Sequence, residues 1–118
     1  MGDLKHSFGT DYELILVSNN GQELKGKRIG SVWSVGKGNG NDYLHPTQKP
    51  VNLSAIAIEN TTDAGGIVAD VFGGSGSTLI ACEQLNRRCF MMELDEHYCD
   101  VIIARWEKLT GKQAMKIN

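Results

Sequence analysis

The stretch Ile67-Val68-Ala69-Asp70-Val71-Phe72-Gly73-Gly74-Ser75-Gly76-Ser77-Thr78 constrains the fold more than any other part of this chain. An apolar, β-branched run that stops at an acid has the pattern of a central parallel strand. The glycines after it let the backbone turn sharply and let a ligand approach where a Cβ would collide. A helix is expected from about Gly76 to Thr78 onward, and its free N–H groups carry partial positive charge toward whatever lies above the turn. Such a turn suits a small molecule with a carboxylate, a phosphate or a polar sugar. Alone it is unspecific, because many α/β units carry one with nothing bound.

A second feature lies downstream. After a helix expected from about Ser77 to Asn86, Arg88-Cys89-Phe90-Met91-Met92-Glu93 is another short apolar run ending in an acid. The interval from Asp70 to Glu93 is close to the roughly 20 residues that separate a phosphate-binding turn from a ribose-binding acid in a dinucleotide βαβ unit. A carboxylate at that strand tip can accept hydrogen bonds from both ribose hydroxyls. The plainer alternative is a solvated strand end or a cap for the next helix. The loop has no lysine, so it is not the Gly-x-x-x-x-Gly-Lys-Ser/Thr phosphate cradle, and its spacing is not Gly-x-Gly-x-x-Gly. A nucleoside without phosphates fits better, and S-adenosylmethionine is the common cofactor of that description.

At these residues a family resemblance emerges. Asp70 to Thr78 resembles the Asp-Pro-Phe-x-Gly-Ser-Gly-Thr loop of the DNA amino-methyltransferases, with Val71 in place of the proline. His45-Pro46-Thr47-Gln48-Lys49-Pro50 is similar to the family's His-Pro-Thr-Gln-Lys-Pro segment, the most specific part of the likeness. Glu93-Leu94-Asp95-Glu96-His97-Tyr98, followed by Ala104-Arg105, resembles its Glu-x-x-x-x-Tyr-x-x-x-Ala-x-x-Arg continuation with spacing slightly shifted. The segment order is that of the permuted β class, in which the cofactor-binding half follows the catalytic half. The likeness covers roughly Asp11 to Leu109.

The resemblance implies an α/β chain with a partial Rossmann-like class I methyltransferase fold: a mostly parallel sheet with flanking helices. It implies S-adenosyl-L-methionine as cofactor, held by Thr47, Lys49, Asp70, Phe72, Gly73, Gly74, Ser75, Gly76, Ser77, Thr78 and Glu93, and DNA as partner of the complete enzyme. Thr47 and Lys49 would hold the methionine part; an ammonium there neutralises its carboxylate and the threonine hydroxyl donates to it. His45 is read as structural, shaping the turn before Pro46, and no metal site is expected.

At 118 residues the chain holds one small domain at most. Residues 1–44 are expected to form a strand and a basic, glycine-rich loop region, and 45–118 the S-adenosylmethionine-binding βαβ region. Residues 1–10 are expected to be a loose arm, Tyr12 to Ser18 a strand, and Ile29 to Val35 a short strand around Trp33. Lys25, Lys27, Arg28 and Lys37 make Gln22 to Asn41 the most basic segment. It is read as a solvated surface loop in preference to a DNA contact. Pro50 sits at the first turn of a helix expected from Val51 to Asn60. Cys99, Ile102, Ile103, Trp106 and Leu109 recur at helical spacing in a final helix that starts near Asp95 and ends at Gly111, and Gln113 to Ile117 is expected to add an edge strand.

A net charge of −2 gives no overall nucleic-acid signature, so a DNA contact would need a local basic patch. No apolar run is long enough to cross a bilayer, and the three cysteines (Cys82, Cys89 and Cys99) read as small buried hydrophobes in a reducing cytoplasm. Methylation of an exocyclic amine in DNA requires the base to be flipped out and held by polar acceptors against an aromatic ring. The family does this with an Asp/Ser-Pro-Pro-Tyr/Trp segment. The only prolines here are Pro46 and Pro50, so that motif is absent and no catalytic residue is assigned.

Two readings follow. The chain is the cofactor-binding part of a DNA methyltransferase that works when another chain supplies the catalytic motif, or it is a non-catalytic S-adenosylmethionine-binding module or inactive remnant. A truncation, a split enzyme and a fragment are all compatible with either. Without neighbouring strands the edge of the central strand would be uncovered, which predicts a homo-oligomer.

Overall fold

A computed structural model describes residues 7–9, 11–36 and 50–117. Five elements follow one another in the second half of the chain: α1 (Val51–Thr61), β1 (Ile67–Asp70), α2 (Ser77–Gln84), β2 (Arg88–Met91) and α3 (Glu96–Thr110). β1 and β2 pair in parallel, with Ile67 opposite Arg88 and Asp70 opposite Met91, and α2 is the crossover between them. The architecture is α/β, a partial Rossmann-like arrangement with a small parallel sheet and flanking helices.

Alternation along the strands decides which face is covered. Val68, Asp70, Cys89 and Met91 are half-buried, whereas Ile67, Ala69, Arg88 and Phe90 are exposed. Val68 and Cys89 pack against a core of Ile58 from α1 and Ala81 and Cys82 from α2, with Val51, Ala55 and Leu85 around it. On the opposite face Arg88 lies over the Phe90 ring, its guanidinium carbon 5.7 Å from the centroid, and no described helix covers this surface.

The ends of the helices follow from local chemistry. Pro50, at φ −58°, precedes the first residue of α1, and a proline there forfeits only an N–H that the helix could not use. At the other end of α1, Arg87 clamps the chain by donating to Thr62 Oγ1 at 3.0 Å and to the Thr62 carbonyl at 2.9 Å. α2 stops at Gln84, two residues earlier than the sequence suggests, because Asn86 takes a left-handed φ of 59° that no helix can continue. Asp95 caps α3 by accepting from the His97 N–H at 2.9 Å, and Gly111 closes it at φ 70°. Removing this cap has a predictable cost. Asp95→Ala is expected to lower stability by about 1 kcal/mol, read as a lower urea midpoint at unchanged m-value.

Three expected strands are corrected. Tyr12 to Ser18, Ile29 to Val35 and Gln113 to Ile117 carry no strand assignment, and Leu14, Ile15, Leu16 and Val17 are all exposed. A strand is defined by a partner, and the two-stranded sheet leaves these segments without one. The basic segment is nonetheless tied to the fold: the Lys25 N–H donates to the Asn60 carbonyl at 2.7 Å, and its ammonium lies 3.5 Å from Asp63. The His45 to Lys49 stretch, including Thr47 and Lys49, falls outside the described residues, as does Lys37. Among the cysteines, Cys82 is buried while Cys89 and Cys99 are only half-buried, and all three are free thiols. Burial and the neighbouring Cys82 push the Cys89 thiol up to about 12, so it is a poor nucleophile at neutral pH.

Candidate functional site

The site grows from the C-terminal ends of β1 and β2, where the parallel register sets Asp70 beside Met91. The Asp70 carboxylate folds over its own turn, Oδ1 accepting from the Phe72 N–H at 3.0 Å. The turn forms with valine at position 71, where the family has proline. The Gly73 N–H then donates to the Met92 carbonyl at 2.8 Å, which stitches the loop to the end of β2. This contact demands glycine: a Cβ on Gly73 would sit 3.2 Å from that carbonyl oxygen and 2.7 Å from the Met91 side chain. Gly76 N–H bonds back to the Gly73 carbonyl at 2.9 Å, closing the loop before α2 starts at Ser77.

Glu93 meets this loop directly. Its Oε2 accepts from the Gly74 N–H at 2.6 Å and its Oε1 from the Asp95 N–H at 3.0 Å. The sequence places a glycine turn and an acid at a ribose-like interval; the structure joins them with a hydrogen bond. Each carboxylate oxygen accepts one backbone donor and retains a lone pair for a further one. These backbone donors, Asp95 first and then Gly74, hold the Glu93 carboxyl below its ordinary value of 4.5. The sign follows: because the folded-state pKa is lowered, the clasp is complete above the ordinary value and is lost as pH falls through the lowered one. The exchange protection of the Gly74 amide is therefore expected to fall once the pH drops below the ordinary value and through the lowered one, and an exchange rate that merely follows the intrinsic pH dependence would contradict it.

The remaining expected residues differ in exposure and surroundings. Phe72 is 88% exposed at the loop tip, a bare ring beside the clasp. Ser75 and Ser77 are buried within the loop, and Thr78 is half-buried at the start of α2. Asp70 and Thr78 also line an open groove of about 340 Å³ that runs between α1 and the free edge of β1, with Ser54, Ile58, Thr62 and Val68. Thr47 and Lys49 lie outside the described residues. Among the described residues no cluster of histidine, cysteine or acid has the geometry to hold a metal. No described helix is long and apolar enough to cross a membrane.

Two contacts were not foreseen. The Cys99 thiol donates to the Glu93 carbonyl at 3.3 Å, and Arg105 reaches back from α3 to the loop. The signal for the second was present in the helical stripe, since Arg105 lies one turn beyond Ile102 and therefore projects from the same side of α3.

A parallel βαβ unit whose glycine turn is clasped by an acid at the tip of the second strand is an arrangement of the Rossmann type. A family model described as DNA methylase (N6_N4_Mtase) matches residues 5–105, and the chain belongs to that family. Among curated relatives it is similar to the type II methyltransferase M.BglII of Bacillus subtilis, 34% identical over 64% of this chain and 22% of the relative. It is 47% identical to a putative methylase, YubD, of Escherichia coli strain K12 over 52% of this chain and 27% of the relative. It is 33% identical to M2.DpnII of Streptococcus pneumoniae over 82% of this chain and 35% of the relative. The matches thus span between about a fifth and a third of those proteins. A solved M1.HpyAVI–SAM complex superposes with a TM-score of 0.60 at 26% identity, over 72% of this chain and 44% of that one.

Proposed function

We propose that this chain is the S-adenosylmethionine-binding part of a DNA amino-methyltransferase, with the adenosyl ribose held where the loop at Gly74 meets Glu93. The Gly74 N–H to Glu93 hydrogen bond carries this reading, because it brings the glycine turn and the acid at the second strand tip into contact. The likeness to a methyltransferase solved with SAM supports the cofactor, and the family supports DNA as the substrate of the complete enzyme.

In this reading the bound cofactor supplies an electrophilic sulfonium methyl group. This chain's own residues bind and orient it. The Glu93 carboxylate accepts from the ribose hydroxyls, Phe72 offers an apolar flank for the adenine, and residues Gly73 to Thr78 form the floor beneath the methionine part. Thr47 and Lys49 complete the set at the carboxylate and amine end. Residues 45–118 are the cofactor-binding region, with 1–44 as a sheet-edge or DNA-facing segment, and the enzyme works in the cytoplasm.

The absence of adjacent prolines anywhere in the sequence supports a chain that binds cofactor and does not transfer methyl groups alone. A second chain bearing the Asp/Ser-Pro-Pro-Tyr/Trp motif would complete it. The inactive-remnant reading rests on the same absence, and neighbouring reading frames separate the two: a frame with that motif favours the split enzyme. Calorimetric titration with S-adenosylhomocysteine is expected to give saturable one-to-one heat, and no heat would overturn the cofactor reading. Transfer of a labelled methyl group to DNA by the chain alone would overturn its non-catalytic half.

Among the described residues the outer edge of β1 is unpaired and one sheet face is exposed, which favours self-association when no partner is present. Size-exclusion chromatography with light scattering is expected to show a dimer or larger species, and a clean monomer would contradict it.

A further inference from the structure

The loop is gripped from two directions, and only one grip belongs to the clasp already described. On the far side, Arg105 Nη1 donates to the Ser75 carbonyl at 3.2 Å and lies 3.5 Å from Ser75 Oγ and 3.4 Å from Ser77 Oγ. One nitrogen with two hydrogens thus serves three oxygens that straddle Gly76. One turn earlier on α3, the Ile102 side chain abuts Gly76 so closely that a Cβ there would lie 3.1 Å from it. α3 therefore braces the loop with an apolar contact and a charged fork side by side.

The arrangement has a directional consequence. With its carbonyl turned to Arg105, the Ser75–Gly76 peptide directs its N–H to the Gly73 carbonyl. That fixes the tight turn on which the position of Gly74 N–H toward Glu93 depends. Burial costs the guanidinium part of its hydration and lowers its pKa, so its donors act on loop oxygens in a partly dry setting where such bonds are stronger.

We infer that Arg105 is a positioning residue for the cofactor loop: it touches no ligand and holds the Ser75–Ser77 backbone in the shape that presents Gly74 to Glu93. The inference rests on the proposed cofactor site for its functional meaning, but its mechanical part is testable without any ligand.

The test compares the full chain with Arg105→Met and Arg105→Lys by hydrogen exchange and by S-adenosylhomocysteine titration. Arg105→Met keeps the apolar stem and removes the fork. It should speed exchange in peptides covering Gly73 to Thr78 by roughly tenfold while α1 peptides stay unchanged, and weaken binding on the order of tenfold or more. Arg105→Lys keeps the charge with a single donor head and should fall between. Unchanged loop exchange, or a rise shared equally by α1, would reduce Arg105 to a general packing residue and overturn the inference. Should the methionine variant not fold, the lysine variant decides by the same comparison of loop with α1. If the wild-type chain gives no binding heat, the cofactor reading falls while the exchange ratio still decides the role of Arg105.

Discussion

Glu93→Ala is expected to weaken S-adenosylhomocysteine binding on the order of a hundredfold, because in the proposed site this carboxylate is the acceptor for both ribose hydroxyls. The same substitution strips the Gly74 N–H of its 2.6 Å partner, so the loop loses its front support as well. Glu93→Gln is expected to fall between the two, since an amide keeps one acceptor oxygen but carries no charge and turns its other arm into a donor. Isothermal calorimetry on the three proteins checks the order. Binding by Glu93→Ala within threefold of wild type would separate the carboxylate from the ligand. The fold should survive the change, because Glu93 lies outside the core formed by Ile58, Ala81 and Cys82.

Gly76→Ala acts on stability. Gly76 has φ 91°, where an L-residue is strained, and a new methyl group would press on Cγ1 of Ile102 at 3.1 Å and Cγ2 at 3.3 Å. Ile102 is buried and β-branched, so it has little room to turn aside. Left-handed strain and overpacking together are expected to cost about 2–4 kcal/mol, a large fraction of the stability of a small domain. The urea midpoint should drop steeply at constant m-value. A loss below about 0.5 kcal/mol would show that the loop relaxes freely and is not locked between α2 and α3.

The parts of the fold legible in the sequence are those whose signals are local. β1 ends at Asp70, the acid at which the apolar run stops, and β2 occupies Arg88–Met91 within the predicted run. α1 and α3 match their expected spans to within a residue or so, because Pro50, Asp95 and Gly111 punctuate them chemically. The Tyr12 to Val17 segment has strand composition, yet composition supplies only propensity; a strand forms by pairing, and this segment pairs with neither outer edge of the two-stranded sheet, which are left without neighbours among the described residues. The same lack of neighbours explains why Ile67 and Phe90 remain exposed in a sheet whose pattern suggested burial on both faces.

The candidate site was legible as a pair, the turn after Asp70 and the acid at 93, since a strand-turn-helix-strand unit brings the two strand tips together whatever the rest of the chain does. The helical stripe put Arg105 on the inward side of α3 but could not supply its partner in the loop. Arg105 lies 30 residues beyond Ser75, and its reach depends on how α3 packs over α2, which is a tertiary fact. Thr47 and Lys49 were legible only through family likeness, and they stand as proposals on that footing.

The most direct test is an amide chemical-shift titration of the isotopically labelled chain with S-adenosylhomocysteine. Shifts concentrated at Gly73 to Ser77 and at Glu93 to Asp95, saturating together, are the expected result. Saturable shifts confined to the groove between α1 and β1, with the loop and Glu93 unmoved, would contradict a nucleoside held at that clasp.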